Sequence, residues 1–382
     1  MPGFELIGEE ERRNVLRLFE IKSDFERGPV VKEFQQKMAE KIGVKYSQAV
    51  TSCTAALKVA VEALELEPSS EIITSAFTFV ATAEAILEAK CIPVFAEIDE
   101  TYNMDPEDVK RKITPKTKAI IPVHMYGSPS NMDAIINIAK EYGLKVIEDA
   151  AQGLGSKYGE KYSGTIGDIG CLSFDAGKMI GTGDGGMLIS NNEIYWKRAY
   201  EYFDHGHQNN PNFPRGRDTR RRYGFNFRMT ELQASIGLAQ LERMDYILQK
   251  QKENYLKIEN GIKNSGYYQF RKFADKAKHT HEALVFSLPS KQEVDELFRC
   301  LSAEKIITKN LPDAYDWHFA GTWDHIISII PNYKGKKTTE LFFKSRDLLS
   351  RSIAIMIFVK MSDEHINKII RVLNEFAEGK KR

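Results

Sequence analysis

One lysine stands out for its setting. In Cys171-Leu-Ser-Phe-Asp-Ala-Gly-Lys178-Met-Ile-Gly-Thr-Gly-Asp184-Gly-Gly186, Lys178 lies between a short apolar run and a glycine-dense loop. An amine held at a strand end among small residues is partly desolvated, so its pKa falls and it becomes a nucleophile able to form a Schiff base. The same spacing also describes a solvated loop lysine. Gly181-x-Gly183-x-x-Gly186 matches a dinucleotide-binding fingerprint. That motif opens a helix, whereas Met187-Leu-Ile-Ser190 has the composition of a strand, so a nicotinamide site is set aside.

Three other stretches carry groups that gain meaning beside such a lysine. Thr51-Ser-Cys-Thr54 precedes an amphipathic run (Leu57, Ala60, Val61, Leu64), which would aim free N–H groups and hydroxyls out of a helix N-terminus towards a phosphate; plain capping is the alternative. Ile147-Glu-Asp149-Ala-Ala-Gln152 ends an apolar run on a carboxylate, which is otherwise a helix cap or a surface acid. Ala76-Phe-Thr-Phe79 offers an aromatic face, or simply core packing. Phosphate cradle, carboxylate, aromatic plate and lysine are together the parts of a pyridoxal phosphate site, the carboxylate pairing with the ring nitrogen.

Positioning these groups takes a sheet. Apolar runs at 71–74, 93–98, 119–124, 145–148, 171–174 and 187–190 alternate with helical patterns at 55–64 and 82–89 and with the stripe Ile135, Ile138, Ala139, Tyr142 that stops at Gly143. This predicts an α/β fold with a mainly parallel sheet covered on both faces, and ligands beyond the strands' carboxyl ends. Asn192 should cap a helix to about Phe203, residues 208–222 should form a mobile loop, and Thr230-Glu-Leu-Gln233 should open a long helix leaving the large domain. From about residue 250 the pattern becomes α+β. The expected division is residues 1–250, a large cofactor-binding domain with an N-terminal helical segment, and residues 251–382, a smaller C-terminal domain.

The 54 basic side chains nearly cancel the 53 acidic ones, which argues against a general nucleic-acid or membrane-surface binder. Cys53, Cys91, Cys171 and Cys300 are far apart without metal-ligand spacing; they read as buried free thiols of a reducing compartment, with no metal site. With no apolar stretch of membrane-spanning length and no leader-like start, a cytoplasmic location is expected.

The chain resembles the fold-type-I, DegT/StrS-type sugar aminotransferases. The likeness is carried by Gly28-Pro-Val-Val-Lys-Glu-Phe34, Phe77-Thr-Phe-Val-Ala-Thr82, Glu148-Asp-Ala-Ala-Gln152, Ser173-Phe-Asp-Ala-Gly-Lys178, Gly183-Asp-Gly-Gly186 and Gly224-Phe-Asn-Phe-Arg-Met-Thr-Glu-Leu-Gln233. The resemblance implies a transaminase in which Lys178 holds pyridoxal 5'-phosphate and shuttles the proton, Asp149 faces the ring nitrogen, and Gln152 lies near the ring hydroxyl. It further implies that Phe79 stacks on the ring, that Cys53, Thr54 and Ser173 bind phosphate, and that Asn226 reaches the cofactor phosphate of the neighbouring subunit in a homodimer with shared sites. Two departures are Ser52-Cys-Thr54 for Ser-Gly-Thr and Gly183-Asp-Gly-Gly186 for Gly-Glu-Gly-Gly. Relatives with histidine at the lysine position are dehydratases, so Lys178 favours transamination, with glutamate as expected donor and a carbonyl sugar as acceptor. A lyase and a non-catalytic relative that binds cofactor or sugar are the other readings.

The opening Met1-Pro-Gly-Phe-Glu-Leu, Phe203-Asp-His-Gly-His207 and Asp316-Trp-His-Phe319 look like the subgroup that forms 8-amino-3,8-dideoxy-manno-octulosonate for lipopolysaccharide from an 8-oxo-octulosonate. The alternative acceptor is a nucleotide-linked 3- or 4-ketosugar. Arg215 and Arg217, with Arg220, Arg221 and Arg222, could grip carboxylate or diphosphate, or form a solvated basic loop; His205 and His318 are candidate substrate contacts.

Overall fold

The computed structural model describes residues 3–26, 28–210, 212–214, 216–262, 266–310 and 315–381. Two helices open it, α1 (Glu9–Glu20) and α2 (Pro29–Ile42), α2 starting on Pro29 and ending on the left-handed Gly43. The large sheet follows through β1 (Tyr46–Val50), α3 (Cys53–Ala63), β2 (Glu71–Ser75), α4 (Ala81–Glu88), β3 (Ile92–Ala96), α5 (Pro106–Lys112), β4 (Thr117–Ile121), α6 (Met132–Tyr142) and β5 (Lys145–Asp149). A short hairpin, β6 (Lys157–Tyr158) and β7 (Lys161–Tyr162), leads to β8 (Ile169–Ser173), β9 (Gly186–Ser190) and α7 (Glu193–Tyr202).

The strand order is β1-β9-β8-β5-β4-β2-β3. Neighbours from β3 to β8 run parallel, and β9 is antiparallel to both β8 and β1. The period-2 alternation of strands sorts the core. Cys171 and Leu188 face α3 and α7, while Leu172, Met187 and Ile189 face α2 and the later helix α8. Ile120 and Val146 pack under α5 and α6. The carboxyl ends of β2, β4, β5 and β8 therefore share one edge, and the reversed β9 begins there.

The long helix expected after Thr230 is two helices, α8 (Glu231–Glu242) and α9 (Met244–Ile262). The break is Arg243, whose guanidinium is drawn to Glu10, Glu11 and the carbonyl of Leu6. Then come β10 (Gln269–Phe270), β11 (Ala277–Lys278), which pairs with β6, β12 (Ala283–Ser287), α10 (Lys291–Ala303), β13 (Thr308–Asn310), short helical turns, the helix Phe343–Ser350, β14 (Ser352–Met356) and the C-terminal helix Asp363–Lys381. The small sheet, β10-β12-β14-β13, is antiparallel.

Its two sides belong to different cores. Leu284, Phe286, Ile353 and Ile355 pack with α9, α10 and the C-terminal helix. Ala283, Val285, Ala354 and Met356 face the other way, into a cluster with Phe77, Phe95, Trp323 and Phe342. That second cluster seats Phe319 and Trp323 against Phe77 and against Phe95 of β3. Among the described residues no helix is long and apolar enough to cross a membrane. Cys53, Cys91 and Cys171 are buried as expected, but Cys300 is exposed, because α10 turns Val294, Leu297 and Leu301 to the core and Cys300 away from it.

Candidate active site

The candidate phosphate cradle forms where β1 runs into α3. Ser52 caps the helix by accepting a hydrogen bond from the N–H of Ala55 at 3.1 Å. The first two helical N–H groups, those of Cys53 and Thr54, have no partner among the described residues and point with the helix dipole into a cavity. Strand β9 comes so close that a Cβ on Gly186 would lie 2.6 Å from the N of Cys53, so only glycine fits. The Cys53 thiol is pushed well up, first by burial and then by the charge of Asp149, and stays neutral. What the cradle offers an anion is thus backbone amide, and cysteine in place of glycine leaves that intact.

Lys178 sits on the turn after β8, its N–H bonded to the carbonyl of Asp175 at 2.9 Å. The glycine loop folds back through Ala176 N–H to the Gly183 carbonyl (3.0 Å) and Phe174 N–H to the Gly185 carbonyl (2.9 Å). Gly183 and Gly185 have φ of 86° and 150°, a region that favours glycine. The second departure is absorbed locally, since the carboxylate of Asp184 accepts the N–H of Gly185 at 2.9 Å. Half-buried, the Lys178 side chain reaches the cavity that Asp149 also lines.

Asp149 closes β5 and is 3 % exposed. Burial pushes its carboxyl pKa up, while Thr82 Oγ1, donating at 2.8 Å, the N–H of Ala151 at 3.1 Å and the charge of Lys178 pull it back. Thr82 carries a role that its sequence setting did not disclose. The neighbouring Glu148 points the other way and accepts four hydrogen bonds, from His124 Nε2 (2.9 Å) and the N–H groups of Gly164 (2.8 Å), Ile166 (2.6 Å) and Gly167 (2.6 Å).

An aromatic wall completes the site. The segment 317–319 adds to 77–80 through Thr78 N–H to the His318 carbonyl and Val80 N–H to the Trp317 carbonyl, both 2.9 Å. This lays Phe79 parallel to Trp317, with centroids 6.1 Å apart, and brings His318 to 5.3 Å from Phe79. Gln152 accepts the N–H of Tyr126 at 3.0 Å. Lys309 of β13, which the sequence reading missed, also lines the cavity. It sits on a three-residue edge strand between polar neighbours, and no sequence pattern sets it apart.

One cavity of about 320 Å³ thus brings together Cys53, Thr54, Phe79, Asp149, Gln152, Ser173, Lys178 and His318. His205, Arg217 and Asn226 do not line it, and Arg215 lies outside the described residues. The reason is the course of the 203–228 segment. Asp204 bridges to Asn226, Arg228 pairs with Asp204 at 2.6 Å, Arg221 with Glu201 at 2.9 Å, and His207 bonds Asp218 at 2.9 Å. His205, Arg217 and Asn226 are left exposed on it. Arg221 and Arg222 are taken up by Glu201 and Glu65, so they are not free to grip a substrate of this chain.

Two unpartnered amides at a helix N-terminus, a buried acid held between a hydroxyl and an N–H, an aromatic face and a reachable amine are a donor set that fits pyridoxal phosphate. Among the described residues no cluster of three His, Cys, Asp or Glu could hold a metal.

Comparison with known proteins agrees with this geometry. The model of the DegT/DnrJ/EryC1/StrS aminotransferase family matches residues 5–374. The spore coat polysaccharide biosynthesis protein SpsC of Bacillus subtilis (strain 168) is 32% identical, over 98% of this chain and 96% of its own. GDP-perosamine synthase of Escherichia coli O157:H7 is 33% identical, over 93% and 92%. Among solved structures, the aminotransferase from Psychrobacter cryohalolentis superposes with a TM-score of 0.88 at 26% identity, covering 99% of both chains.

Proposed function

The chain belongs to the DegT/DnrJ/EryC1/StrS aminotransferase family of pyridoxal-phosphate-dependent sugar aminotransferases, and on that premise we propose that it moves an amino group from glutamate to a nucleotide-linked 3- or 4-ketosugar. The observation that carries the reading is the convergence of Lys178, Asp149 and the free amides of Cys53 and Thr54 on one cavity. Bound there, the cofactor would supply a carbonyl to receive the amino group and a conjugated ring to delocalise the electron pair released on deprotonation.

Each residue then has a task. Lys178 would hold the cofactor, and its Nζ would remove and return the proton at the reacting carbon. Asp149 is the counter-charge for the ring nitrogen, and Thr82 with the Ala151 N–H holds that carboxylate in place. Cys53, Thr54 and Ser173 would take the phosphate, Phe79 would cover the ring and Gln152 would serve its hydroxyl edge. Asn226, exposed and outside its own cavity, serves the partner's cofactor in a homodimer.

The nucleotide-linked acceptor is supported by the names of two relatives, the GDP-perosamine synthase above and the UDP-2-acetamido-2-deoxy-3-oxo-D-glucuronate aminotransferase of Pseudomonas aeruginosa, 40% identical over 56% of this chain. A second acceptor, an 8-oxo-octulosonate leading to lipopolysaccharide, is favoured by Asp316-Trp-His-Phe319, whose Trp317 and His318 build the wall beside Phe79.

Purified protein should be yellow, and borohydride should fix the cofactor mass to the peptide containing Lys178. Given glutamate, it should form 2-oxoglutarate in step with an aminated sugar. A competition between nucleotide-linked ketosugars and an 8-oxo-octulosonate decides the acceptor. A colourless protein that takes up no cofactor would leave only the non-catalytic reading, and loss of a sugar hydroxyl without gain of nitrogen would make it a lyase.

A further inference from the structure

Lys309 is a second lysine in the cavity of Lys178, and its Nζ forms no ion pair or hydrogen bond among the described residues. Its contact is the ring of Tyr126, 6.0 Å from Nζ to centroid. A lysine on an edge strand ordinarily extends into water. This one turns inward, where burial and then the charge of Lys178 push its pKa down.

A second observation lies behind the two lysines. Glu282, just before β12, is 2 % exposed and lines a recess with Gln152 and Lys178. Among the described residues its Oε1 has no hydrogen-bond partner, its Oε2 receives a 3.4 Å bond from Thr280 alone, and no ion pair joins it to either lysine. A buried carboxylate left this poorly bonded destabilises the fold unless nearby cations offset it. The acids at the cavity rim are engaged elsewhere, Asp175 with the N–H of Gly177 and Asp184 with that of Gly185.

Once Lys178 is committed to the cofactor, Lys309 remains a lysine of the cavity whose charge has no ion-pair partner among the described residues. It stands over Tyr126, on the Gln152 side, on an element separate from the helix whose amides serve a phosphate. We infer that Lys309 grips a substrate carboxylate, carried by the amino donor or by an acidic sugar, and so selects carboxylate-bearing substrates. The inference rests on the reading of Lys178 as the cofactor-bearing lysine.

Lys309→Met keeps the apolar stem and removes the charge; Lys309→Arg keeps the charge. Binding of maleate, an unreactive dicarboxylate, is measured by calorimetry on each full-length protein as purified. The two half-reactions are followed by cofactor colour, with L-glutamate in one arm and an acidic against a neutral ketosugar in the other. Loss of one charge-assisted bond should weaken maleate and the half-saturating concentration of glutamate by about tenfold to a hundredfold, with kcat nearly unchanged and Lys309→Arg close to wild type. A loss confined to the acidic sugar would place the carboxylate on the acceptor. If maleate, glutamate and the acidic sugar all stay within about twofold in Lys309→Met, a factor worth less than one weak hydrogen bond, the inference is overturned. Yellow colour and borohydride fixation at Lys178 in that same protein keep this failure distinct from failure of the cofactor reading.

Discussion

Replacing Glu148 by glutamine, a nearly isosteric change, should destabilise the protein strongly. Oε1 of Glu148 accepts from Ile166 and Gly167, and Oε2 from Gly164 and His124. An amide has one oxygen, so whichever way it turns, two of the four donors meet an NH2 group. His124 cannot relieve this by changing tautomer, because its Nδ1 already accepts the N–H of Ser130 at 3.1 Å. Two lost hydrogen bonds to a charged acceptor, partly offset by relief of a buried charge, amount to about 3–5 kcal/mol. With an unfolding entropy scaled to 382 residues, that is a fall in melting temperature of roughly 4–6 °C. Differential scanning calorimetry of the cofactor-free protein reads it directly. A Glu148→Gln protein melting within about 1 °C of wild type, a stability loss of about 1 kcal/mol or less, would refute the claim that this carboxylate anchors the 164–167 turn.

The site next door should respond in the opposite sense. Asn at position 149 can accept the Ala151 N–H and donate to Thr82 Oγ1, which keeps a carbonyl partner in Phe79 at 3.2 Å. Because burial raises the folded pKa of Asp149, ionising it costs stability as pH rises from below its unfolded value through the folded one. Asp149→Asn should therefore stabilise the cofactor-free protein at pH 7 and not at pH 3, by urea titration, while cutting amino transfer roughly a hundredfold through loss of the counter-charge; equal stability gains at both pH values would contradict the assignment. Just after β11, His279 stacks on Phe273 at 4.2 Å and burial pushes its pKa down to about 2. Stability from its neutral form is present above 6.5 and drains away as pH falls towards 2, so His279→Phe should flatten the acid limb of a stability profile by about one proton. An unchanged slope between pH 6.5 and 4 would count against it.

Strong local chemistry was legible without coordinates. Asn192 caps α7, accepting from Ile194 at 2.9 Å, Thr230 and Gln233 form the capping box of α8, and Gly143 ends α6 in the left-handed conformation. The parallel strands announced themselves through runs buried on both faces. What escaped was structure made by neighbours. Tyr46-Ser-Gln-Ala-Val50 is a strand because β9 lies beside it, not because its composition says so. The same holds for β13, and with it Lys309. The break at Arg243 depends on acids more than two hundred residues away in sequence. Lys178 and Asp149 were visible because each ends an apolar run, while Thr82 and Glu282 gain their significance only from what folds against them.

The small sheet with a different core on either side has a further consequence. Rocking one lobe against the other would pull Val285 and Ala354 out of the cluster that holds Phe77 and Trp323, so the molecule is welded rather than hinged. Heat should melt both lobes in a single endotherm, and whatever gate admits a bulky ligand must be cut from rim loops instead of from bending of the whole body.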